Sequence, residues 1–328
     1  MSQTDKFDGI KVIVTTDILL EEHLKRISQV SERVKVEKCL DKEEILKAVK
    51  DAEIIVGWLF DSEIFHAATS LKWFHAASAG VERFLFKEFV ESPVILTNSS
   101  GIHRAPMAEV AMAFILCFAK NLPGFMSLKA KKKWARRGDP LRDVDELTGK
   151  TLGVLGLGNV GMEVSSRGKC FGMRVMAVDC RTVRRPTYVD EVMGLWGLDR
   201  ILTKSDYLVI TVPLTSETRH MIGERELRLM KSDAYLINVS RGAVVDQGAL
   251  VKALKEGWIA GAGLDVFEEE PLPEDSELWD LENVIITPHI SGGTPHYAER
   301  LTDIFCENLK RYLEGRPLIN LVDKRAGY

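Results

Sequence analysis

The sequence predicts an α/β protein with two doubly wound parallel-sheet domains. Its 328 residues exceed what one simple core needs, and short β-branched runs alternate with longer helix-like stretches. Strands that alternate with helices form parallel sheets through right-handed crossovers. The net charge of −4 and the ordinary globular composition offer no basic surface, so no nucleic-acid partner is expected.

Eleven runs are predicted strands. They lie at 11–15, 34–37, 53–57, 71–75, 94–97, 151–155, 174–178, 207–211, 234–238, 261–264 and 284–286. A long helical segment is predicted at 105–132, between the two groups of strands. A solvated helix face is the favoured interpretation of its basic stretch K-A-K-K-K at 129–133.

Apolar and cysteine patterns bear on the cellular compartment. The longest apolar run, 110–119, is too short to span a bilayer and is predicted to be a buried helix, and residues 1–12 lack the apolar segment of a signal peptide. The five cysteines form no C-x-x-C pair, which fits reduced thiols, so we expect a cytoplasmic protein without a membrane partner. No metal site is predicted, because His289 and His296 lack the surroundings of metal ligands.

A glycine-rich turn follows the first strand of the second half. Residues 151–161 read T-L-G-V-L-G-L-G-N-V-G, which places Gly156, Gly158 and Gly161 between a strand and a helix. Three glycines at this spacing are weak evidence alone, but the strand and helix make them a dinucleotide-binding turn. The first allows the tight turn, the second lets the backbone approach a pyrophosphate, and the third lets the helix pack on the strand.

An acidic residue ends the next strand. Asp179 can accept hydrogen bonds from both ribose hydroxyls of an adenosine and would repel a 2′-phosphate, which predicts NAD rather than NADP. Arg181, Arg184 and Arg185 follow closely and could attract a phosphate, so NADP stays open.

Polar residues also follow the later strands. Residues 211–214, residues 238–242, Asp265 and His289 each stand at a strand's carboxyl end. Because ligands bind beyond these ends in open α/β sheets, the four sites are expected in one crevice. The stretch D-V-F-E-E-E-P-L-P at 265–273 adds three glutamates before a proline.

The ordered set of motifs resembles the D-isomer-specific 2-hydroxyacid dehydrogenase family along nearly the whole chain. The matching stretches are A-S-A-G-V-E at 77–82, G-L-G-N-V-G at 156–161, V-P-L-T at 212–215, N-V-S-R-G at 238–242, D-V-F-E-E-E-P-L-P at 265–273, T-P-H-I-S-G at 287–292 and L-I-N-L-V-D-K-R-A-G-Y at 318–328. The resemblance implies a flavodoxin-like substrate domain at 1–103 and 293–328, whose last helix is 297–313. It also implies a Rossmann NAD-binding domain at 104–292, an interdomain cleft, and a homodimer to which the 110–119 helix contributes.

The resemblance also implies roles for single residues. Arg241 would bind the substrate carboxylate and polarise the carbonyl, while Glu270 and His289 would form an acid/base pair. A backbone cradle for the carboxylate would comprise Ser78, Ala79, Gly80 and Val81, with Ser78 in place of the family's usual first glycine. The implied cofactor contacts are Gly156, Gly158, Asn159, Val160, Gly161, Asp179, Val212, Pro213, Ser240, Asp265 and Gly292, with Asp265 holding the nicotinamide amide.

The chemistry of a 2-oxo acid reduction fits these roles. The reaction needs a hydride from the nicotinamide and a proton for the developing alkoxide, which a histidine can both give and take. A carboxylate on the far ring nitrogen orients the ring, and an arginine fork suits a planar carboxylate. Glu268 and Glu269 compete with Glu270, which is favoured because it alone precedes Pro271.

Three other side chains have open assignments. His75 precedes the 77–82 loop and either lines the pocket or is a plain strand residue. Trp58 and Trp134 either shape the site for the substrate side chain or pack in the core or an interface, and packing is favoured for both.

Related proteins with other functions share the fold. Formate dehydrogenases carry glutamine where Glu270 stands and have an extra N-terminal segment, and phosphoglycerate dehydrogenases carry a regulatory domain that 328 residues do not accommodate. The alternative of another class is a non-catalytic NAD-sensing scaffold of the corepressor type, which retains the arginine, glutamate and histidine; the lack of a long extra tail disfavours it. The motifs identify neither the 2-oxo acid nor the physiological direction.

Overall fold

The chain forms two compact units, each with its own parallel sheet. The computed structural model describes residues 9–137, 139, 144–181 and 184–327. One unit comprises Met1–Ile102 and Thr294–Tyr328, and the other comprises His103–Gly293. Residues 1–8 and Tyr328, which bound the predicted substrate domain, lie outside the described residues.

The described residues contain twelve strands and eleven α-helices. The strands are β1 Ile10–Thr15, β2 Val34–Lys38, β3 Ile54–Gly57, β4 Trp73–Ala76, β5 Ile95–Asn98, β6 Thr151–Leu155, β7 Arg174–Val178, β8 Glu191–Met193, β9 Tyr207–Ile210, β10 Tyr235–Asn238, β11 Gly261–Leu264 and β12 Val284–Ile286. The helices are α1 Glu21–Ser28, α2 Lys42–Ala48, α3 Ser62–Ala67, α4 Lys87–Glu91, α5 Arg104–Ala119, α6 Leu122–Ala130, α7 Asn159–Cys170, α8 Leu198–Lys204, α9 Glu224–Leu229, α10 Gln247–Glu256 and α11 Tyr297–Leu313.

Both sheets are parallel throughout, which confirms the predicted fold class. The first has the flavodoxin-like order β2-β1-β3-β4-β5, and the second has the order β12-β11-β10-β9-β6-β7-β8. The eleven predicted strands are present with bounds within two residues. Most are buried runs rich in β-branched residues, whereas β4 (W-F-H-A) and β11 (G-A-G-L) contain none. The edge strand β8 was not predicted, since its three residues, E-V-M, begin with a charged residue and include only one β-branched residue.

The prediction of one long helix at 105–132 is wrong. The chain breaks at Asn121, whose φ of +46° is left-handed, and α5 and α6 meet at a bend of 68°. Helix α6 ends at Ala130, so Lys131, Lys132 and Lys133 are exposed, as predicted, but lie beyond the helix. Within α5 the 110–119 run is mostly buried, as expected.

Membrane-spanning potential is limited to this bent pair. No single helix among the described residues is both long and apolar enough to cross a membrane. Helices α5 and α6 taken together meet the criteria of length and composition, but they are bent by 68° at their junction.

The last helix, α11, packs against the first sheet. Trp73 of β4 is fully buried and stacks on Phe305 and Tyr312 of α11, with ring centroids 5.2 and 5.5 Å apart. Truncating a buried tryptophan of this kind costs about 3–5 kcal/mol. This contact ties the C-terminal return of the chain to a sheet built from its first hundred residues.

His75 is a buried strand residue and does not line a pocket. Trp73 Nε1 donates to Thr97 Oγ1 (2.8 Å), which lies 2.7 Å from His75 Nδ1. Ser99 Oγ donates to the Ala76 carbonyl (2.9 Å) and lies 3.2 Å from His75 Nε2. We therefore assign a neutral ring that accepts from Thr97 and donates from Nε2 to Ser99. Burial lowers the pKa of His75 to about 3.

We predict that His75 makes the protein sensitive to acid. Between the unfolded pKa of about 6.5 and the folded value of about 3, the unfolded state binds a proton that the folded state does not, so stability falls as pH falls. Urea unfolding of wild type and His75→Gln at pH 6.5 and 4.5 should show the wild type losing about 2 kcal/mol more than the variant. Equal losses would contradict the assignment.

Candidate functional site

The carboxyl ends of the second sheet's strands bring the predicted residues to one edge. The strand order reverses between the neighbouring strands β6 and β9. A loop that carries predicted site residues follows each of these two strands. Gly156 follows β6 and Thr211 follows β9, whereas Asp179 follows β7 on one side. On the other side, the neighbouring strands β10, β11 and β12 are followed by the segments that carry Arg241, Asp265 and His289.

The three glycines of the turn meet three different requirements. Gly156 has a left-handed φ of +91°. A Cβ atom on Gly161 would lie 1.9 Å from the Gly156 carbonyl oxygen, so only glycine allows this approach. Among the described residues, a Cβ on Gly158 would have only Arg181 Nη2 within 4 Å, at 3.8 Å, which leaves the turn open to a ligand. Helix α7 begins with Asn159 and Val160, and a helix start presents unpaired N–H groups.

Asp179 is buried and organises its own surroundings. Its Oδ2 accepts from the Leu157 N–H (2.7 Å), and its Oδ1 accepts from the Arg181 N–H (2.9 Å) and Nε (3.2 Å). Burial opposes ionisation of the carboxyl group, but these hydrogen bonds outweigh it and hold the pKa of Asp179 below its ordinary value. The carboxylate therefore fixes the glycine-rich turn, and the side chain of Arg181 is 56% exposed beside it.

The loop after β9 is bonded to the same turn. Thr211 Oγ1 is 3.0 Å from the Leu155 carbonyl and 2.7 Å from the Gly156 carbonyl. Val212 lies against Gly156, and Pro213 is exposed. Val212, one of the two predicted cofactor contacts in this loop, thus flanks the open turn.

Asn238 supports the segment that carries Arg241. Its side-chain oxygen accepts from the backbone N–H and the hydroxyl of Ser240, both at 3.0 Å, and its amide donates to the Arg241 carbonyl (2.9 Å). Ser240 is buried, and Arg241 is half-buried with Nη1 donating to the Ser240 carbonyl (2.8 Å). A Cβ on Gly242 would lie 1.8 Å from the Phe267 carbonyl carbon, so this glycine lets the Arg241 segment meet the loop after β11.

Asp265 holds the loop after β12. Its side chain is fully buried and accepts from the Thr287 hydroxyl (2.5 Å) and from the N–H groups of Ile290 and Ser291, both at 2.9 Å. Its carbonyl accepts from the His289 N–H (2.8 Å). The structure thus gives Asp265 a positioning role, and its predicted contact with the nicotinamide amide stays a prediction.

His289 and Glu270 form a close pair. His289 Nδ1 lies 2.6 Å from Glu270 Oε2, and Glu270 Oε1 accepts from the Phe267 N–H (3.0 Å). His289 has a left-handed φ of +53°, a conformation that histidine adopts more readily than most residues. Glu268 instead lies 3.0 Å from His220 Nε2 and accepts from the Gln247 N–H (3.0 Å), so its carboxylate is engaged elsewhere.

A loop of the first unit presents unpaired backbone N–H groups. Among the described residues, no acceptor meets the N–H of Ser78, Ala79, Gly80 or Val81. Successive free N–H groups of this kind form anion-binding nests. The Ser78 hydroxyl donates to the Gly80 carbonyl (2.7 Å), so the serine that replaces the family's glycine adds a bond within the loop.

The two tryptophans differ in their surroundings. Trp58 is half-buried and packs edge-to-face on Tyr297, with centroids 5.9 Å apart, in accord with the packing prediction. Trp134 is 90% exposed, so packing in the core is wrong for it. Among the described residues, no group of three or more histidine, cysteine or acidic side chains is placed to hold a metal ion.

Comparison with known proteins identifies the family. The profile of the D-isomer specific 2-hydroxyacid dehydrogenase NAD binding domain matches residues 112–291. A glyoxylate reductase of Korarchaeum cryptofilum is 38% identical over 290 residues, which cover 87% of this chain and 87% of that protein. The chain belongs to the D-isomer-specific 2-hydroxyacid dehydrogenase family.

Solved structures of this family share the fold and differ in cofactor. A D-isomer specific 2-hydroxyacid dehydrogenase of Xanthobacter autotrophicus, in complex with NADPH and MES, has a TM-score of 0.85 and 27% identity, over 98% of this chain and all of that one. A D-lactate dehydrogenase of Aquifex aeolicus, with NAD and lactic acid, has a TM-score of 0.73 and 29% identity, over 93% of this chain and 96% of that one. The second unit therefore contains the family's NAD(P)-binding Rossmann domain.

Three further residues support this candidate site, and the sequence assigned a role to none of them. Asn238 and Thr211 stand at strand ends, where polar side chains are a signal, but no role was assigned to them. His103 Nδ1 donates to the Gly292 carbonyl (2.8 Å), a contact between residues 189 positions apart that no local pattern indicates.

Proposed function

We propose that the protein is an NAD(H)-dependent oxidoreductase that interconverts a 2-oxo acid and a D-2-hydroxy acid. The observation that carries the proposal is the His289–Glu270 pair, 2.6 Å apart, at the carboxyl edge of a Rossmann sheet in a chain of this family. The similarity to a glyoxylate reductase supports a small 2-oxo acid as substrate.

His289 would act as the proton donor in reduction. Because Nδ1 faces Glu270, the opposite nitrogen, Nε2, is the one that can give a proton to the developing alkoxide. The carboxylate, anchored by the Phe267 N–H, accepts from Nδ1 and keeps the ring oriented. In oxidation the neutral ring would take the proton back.

The residues of the second unit fit a dinucleotide. Open space at Gly158 and the start of α7 suit a pyrophosphate, and Asp179 suits the ribose hydroxyls of NAD. When bound, the cofactor supplies or accepts the hydride. The residues proposed to hold it are Gly156, Gly158, Asn159, Val160, Gly161, Asp179, Val212, Pro213, Ser240, Asp265 and Gly292.

Two groups would bind the substrate carboxylate and carbonyl. The free N–H groups from Ser78 to Val81 suit a carboxylate, which accepts several backbone bonds at once. Arg241 would add a planar, permanently charged fork. We further expect a homodimer, to which α5 contributes, and a cytoplasmic location; light scattering of the purified protein tests the first.

The decisive experiment is turnover with a substrate panel. NADH oxidation should be measured with glyoxylate, hydroxypyruvate, pyruvate, phenylpyruvate and a branched 2-oxo acid, followed by chiral analysis of the product. We expect turnover with at least one acid and a D product wherever the product is chiral. No turnover with any acid, together with tight NADH binding, would instead favour the NAD-sensing scaffold.

Loss of His289 should abolish most turnover without affecting cofactor binding. Removing a general acid costs about 10²–10⁴ in rate. We expect His289→Ala to keep the Kd for NADH within a few-fold, measured by fluorescence titration, while kcat falls by that factor. His220→Ala is a control, because His220 pairs with Glu268 rather than Glu270. Near wild-type kcat in His289→Ala would refute the role.

Replacing Glu270 should shift the pH dependence in a defined direction. Glu270→Gln keeps a hydrogen-bonding group but removes the negative charge beside the ring, and a neighbouring negative charge in general favours the charged form of a base. Reduction needs the protonated ring, so the basic limb of kcat/KM for reduction should move to lower pH, and oxidation should begin at lower pH. Glu268→Gln should leave both profiles in place. If the pH profiles of kcat/KM for Glu270→Gln coincide with those of the wild type, Glu270 is not the partner of His289.

Cofactor preference should depend on the balance between Asp179 and Arg181. The Asp179 carboxylate disfavours a 2′-phosphate, so we expect a higher kcat/KM with NADH than with NADPH. Asp179→Ala should narrow the gap, because it removes the carboxylate that repels a 2′-phosphate and that accepts a hydrogen bond from Arg181 Nε. Arg181→Ala, as the matched variant, should lower activity with NADPH more than with NADH. A wild-type preference for NADPH would show that the arginines dominate.

A further inference from the structure

The carbonyl groups of the loop that precedes Val81 are all bonded. Five successive carbonyl oxygens each accept a hydrogen bond from a different donor. The pairs are Ala76 with Ser99 Oγ, Ala77 with Tyr297 Oη, Ser78 with the Ser99 N–H, Ala79 with Asn98 Nδ2, and Gly80 with Ser78 Oγ. An exposed loop could leave such groups to water, so this complete set indicates a loop held in one conformation.

These bonds determine where the free N–H groups point. In a trans peptide unit the C=O of one residue and the N–H of the next lie in one plane and point in opposite directions. Holding the Ala77 carbonyl therefore directs the Ser78 N–H, and holding the Ala79 carbonyl directs the Gly80 N–H. Each free N–H of the nest is thus opposed by one bonded carbonyl.

Tyr297 reaches the loop from the start of α11. Its hydroxyl donates to the Ala77 carbonyl, 220 positions away in sequence, and its ring meets the edge of Trp58. Burial raises the pKa of Tyr297 to about 12, so the hydroxyl stays a donor throughout the working range of pH.

Asn98 is clamped by the C-terminal segment of the same unit. Its Nδ2 donates to the Ala79 carbonyl (2.8 Å), and its Oδ1 accepts from the Ser100 N–H (3.1 Å). Asn320 Nδ2 donates to the Asn98 and Ser100 carbonyls (3.1 and 2.8 Å), and the Asn98 N–H donates to the Asn320 carbonyl (3.2 Å). The L-I-N stretch at 318–320 thereby fixes the backbone from which Asn98 reaches the loop.

We propose that Tyr297 and Asn98 are positioning residues for substrate binding, each holding one peptide unit of the Ser78–Val81 nest so that its N–H faces the substrate carboxylate. The inference rests on the proposed function, since it concerns the ground-state binding of a 2-oxo acid. Neither side chain takes part in the hydride or proton transfer.

The first test is Tyr297→Phe, which removes one hydroxyl and keeps the ring on Trp58. Losing one hydrogen bond that orients a binding group should raise KM for the best 2-oxo acid about three- to ten-fold. The inhibition constant of oxamate, an unreactive carboxylate analogue, should rise by the same factor. We expect kcat and the Kd for NADH to stay within about two-fold, because ground-state and transition-state binding weaken together.

Tyr312→Phe is the matched control. Tyr312 lies on the same helix, is half-buried like Tyr297, and donates its hydroxyl to Glu53 Oε1 (2.7 Å), away from the loop. It should lower thermal stability about as much as Tyr297→Phe while leaving KM and oxamate inhibition unchanged. Asn98→Ala is the second test, and we expect it to raise KM by the same factor. It also tests the positioning role if Tyr297→Phe does not fold.

The outcomes separate this inference from the proposed function. A wild type that reduces no 2-oxo acid overturns both. An active wild type with unchanged KM in Tyr297→Phe and Asn98→Ala overturns the positioning role alone. An equal rise in KM for Tyr297→Phe and Tyr312→Phe, or a fall in kcat at constant KM, would also overturn it.

Discussion

Parallel strand pairing is the constraint on which the second unit depends. Because β10, β11 and β12 run in one direction, the segments that carry Arg241, Asp265 and His289 must leave the sheet at the same edge. The buried Asp265 carboxylate then makes this arrangement definite, since three donors from the loop after β12 bond to it. A charge so deeply buried is stable only when its oxygens are bonded in this way. The exposed His289–Glu270 pair therefore stands on a rigid, buried support.

In both units, buried or half-buried side chains fix the direction of a loop by hydrogen-bonding to its backbone. The bonded backbone groups are N–H groups in the second unit and carbonyl groups in the first. In the second, Asp179 and Asp265 bind backbone N–H groups and so shape the loops beside the exposed side chains. In the first, donors from Asn98, Ser99 and Tyr297 bind backbone carbonyls and leave the opposite N–H groups without acceptors. In both, polar groups that have no contact with the reacting atoms determine the direction of those that are proposed to bind or react. Such pre-organisation reduces the free energy that binding must spend on ordering the site.

The sequence predicted what local patterns record and missed what distant contacts decide. Short apolar runs, most of them rich in β-branched residues, identified the strands, and the order of motifs identified the family. Position before Pro271 singled out Glu270 among three glutamates, and in the structure that residue lies beside His289. The break between α5 and α6 at Asn121 was not predicted, because apolar residues occur on both sides of it. The break depends on the left-handed φ of this single residue, which no pattern of apolar residues records. The bond from Tyr297 to Ala77 joins residues 220 positions apart, so no window of sequence contains both.

The composition of the first unit from both ends of the chain has a consequence for biosynthesis. On the ribosome, strand β4 is synthesised long before helix α11. Trp73 can therefore stack on Phe305 and Tyr312 only after residues 103–293 have been translated. The Rossmann unit is contiguous and can fold as soon as it leaves the exit tunnel. The nascent protein therefore acquires its dinucleotide-binding half first. Until α11 leaves the ribosome, Trp73 of β4 lacks the two aromatic rings that cover it in the folded protein.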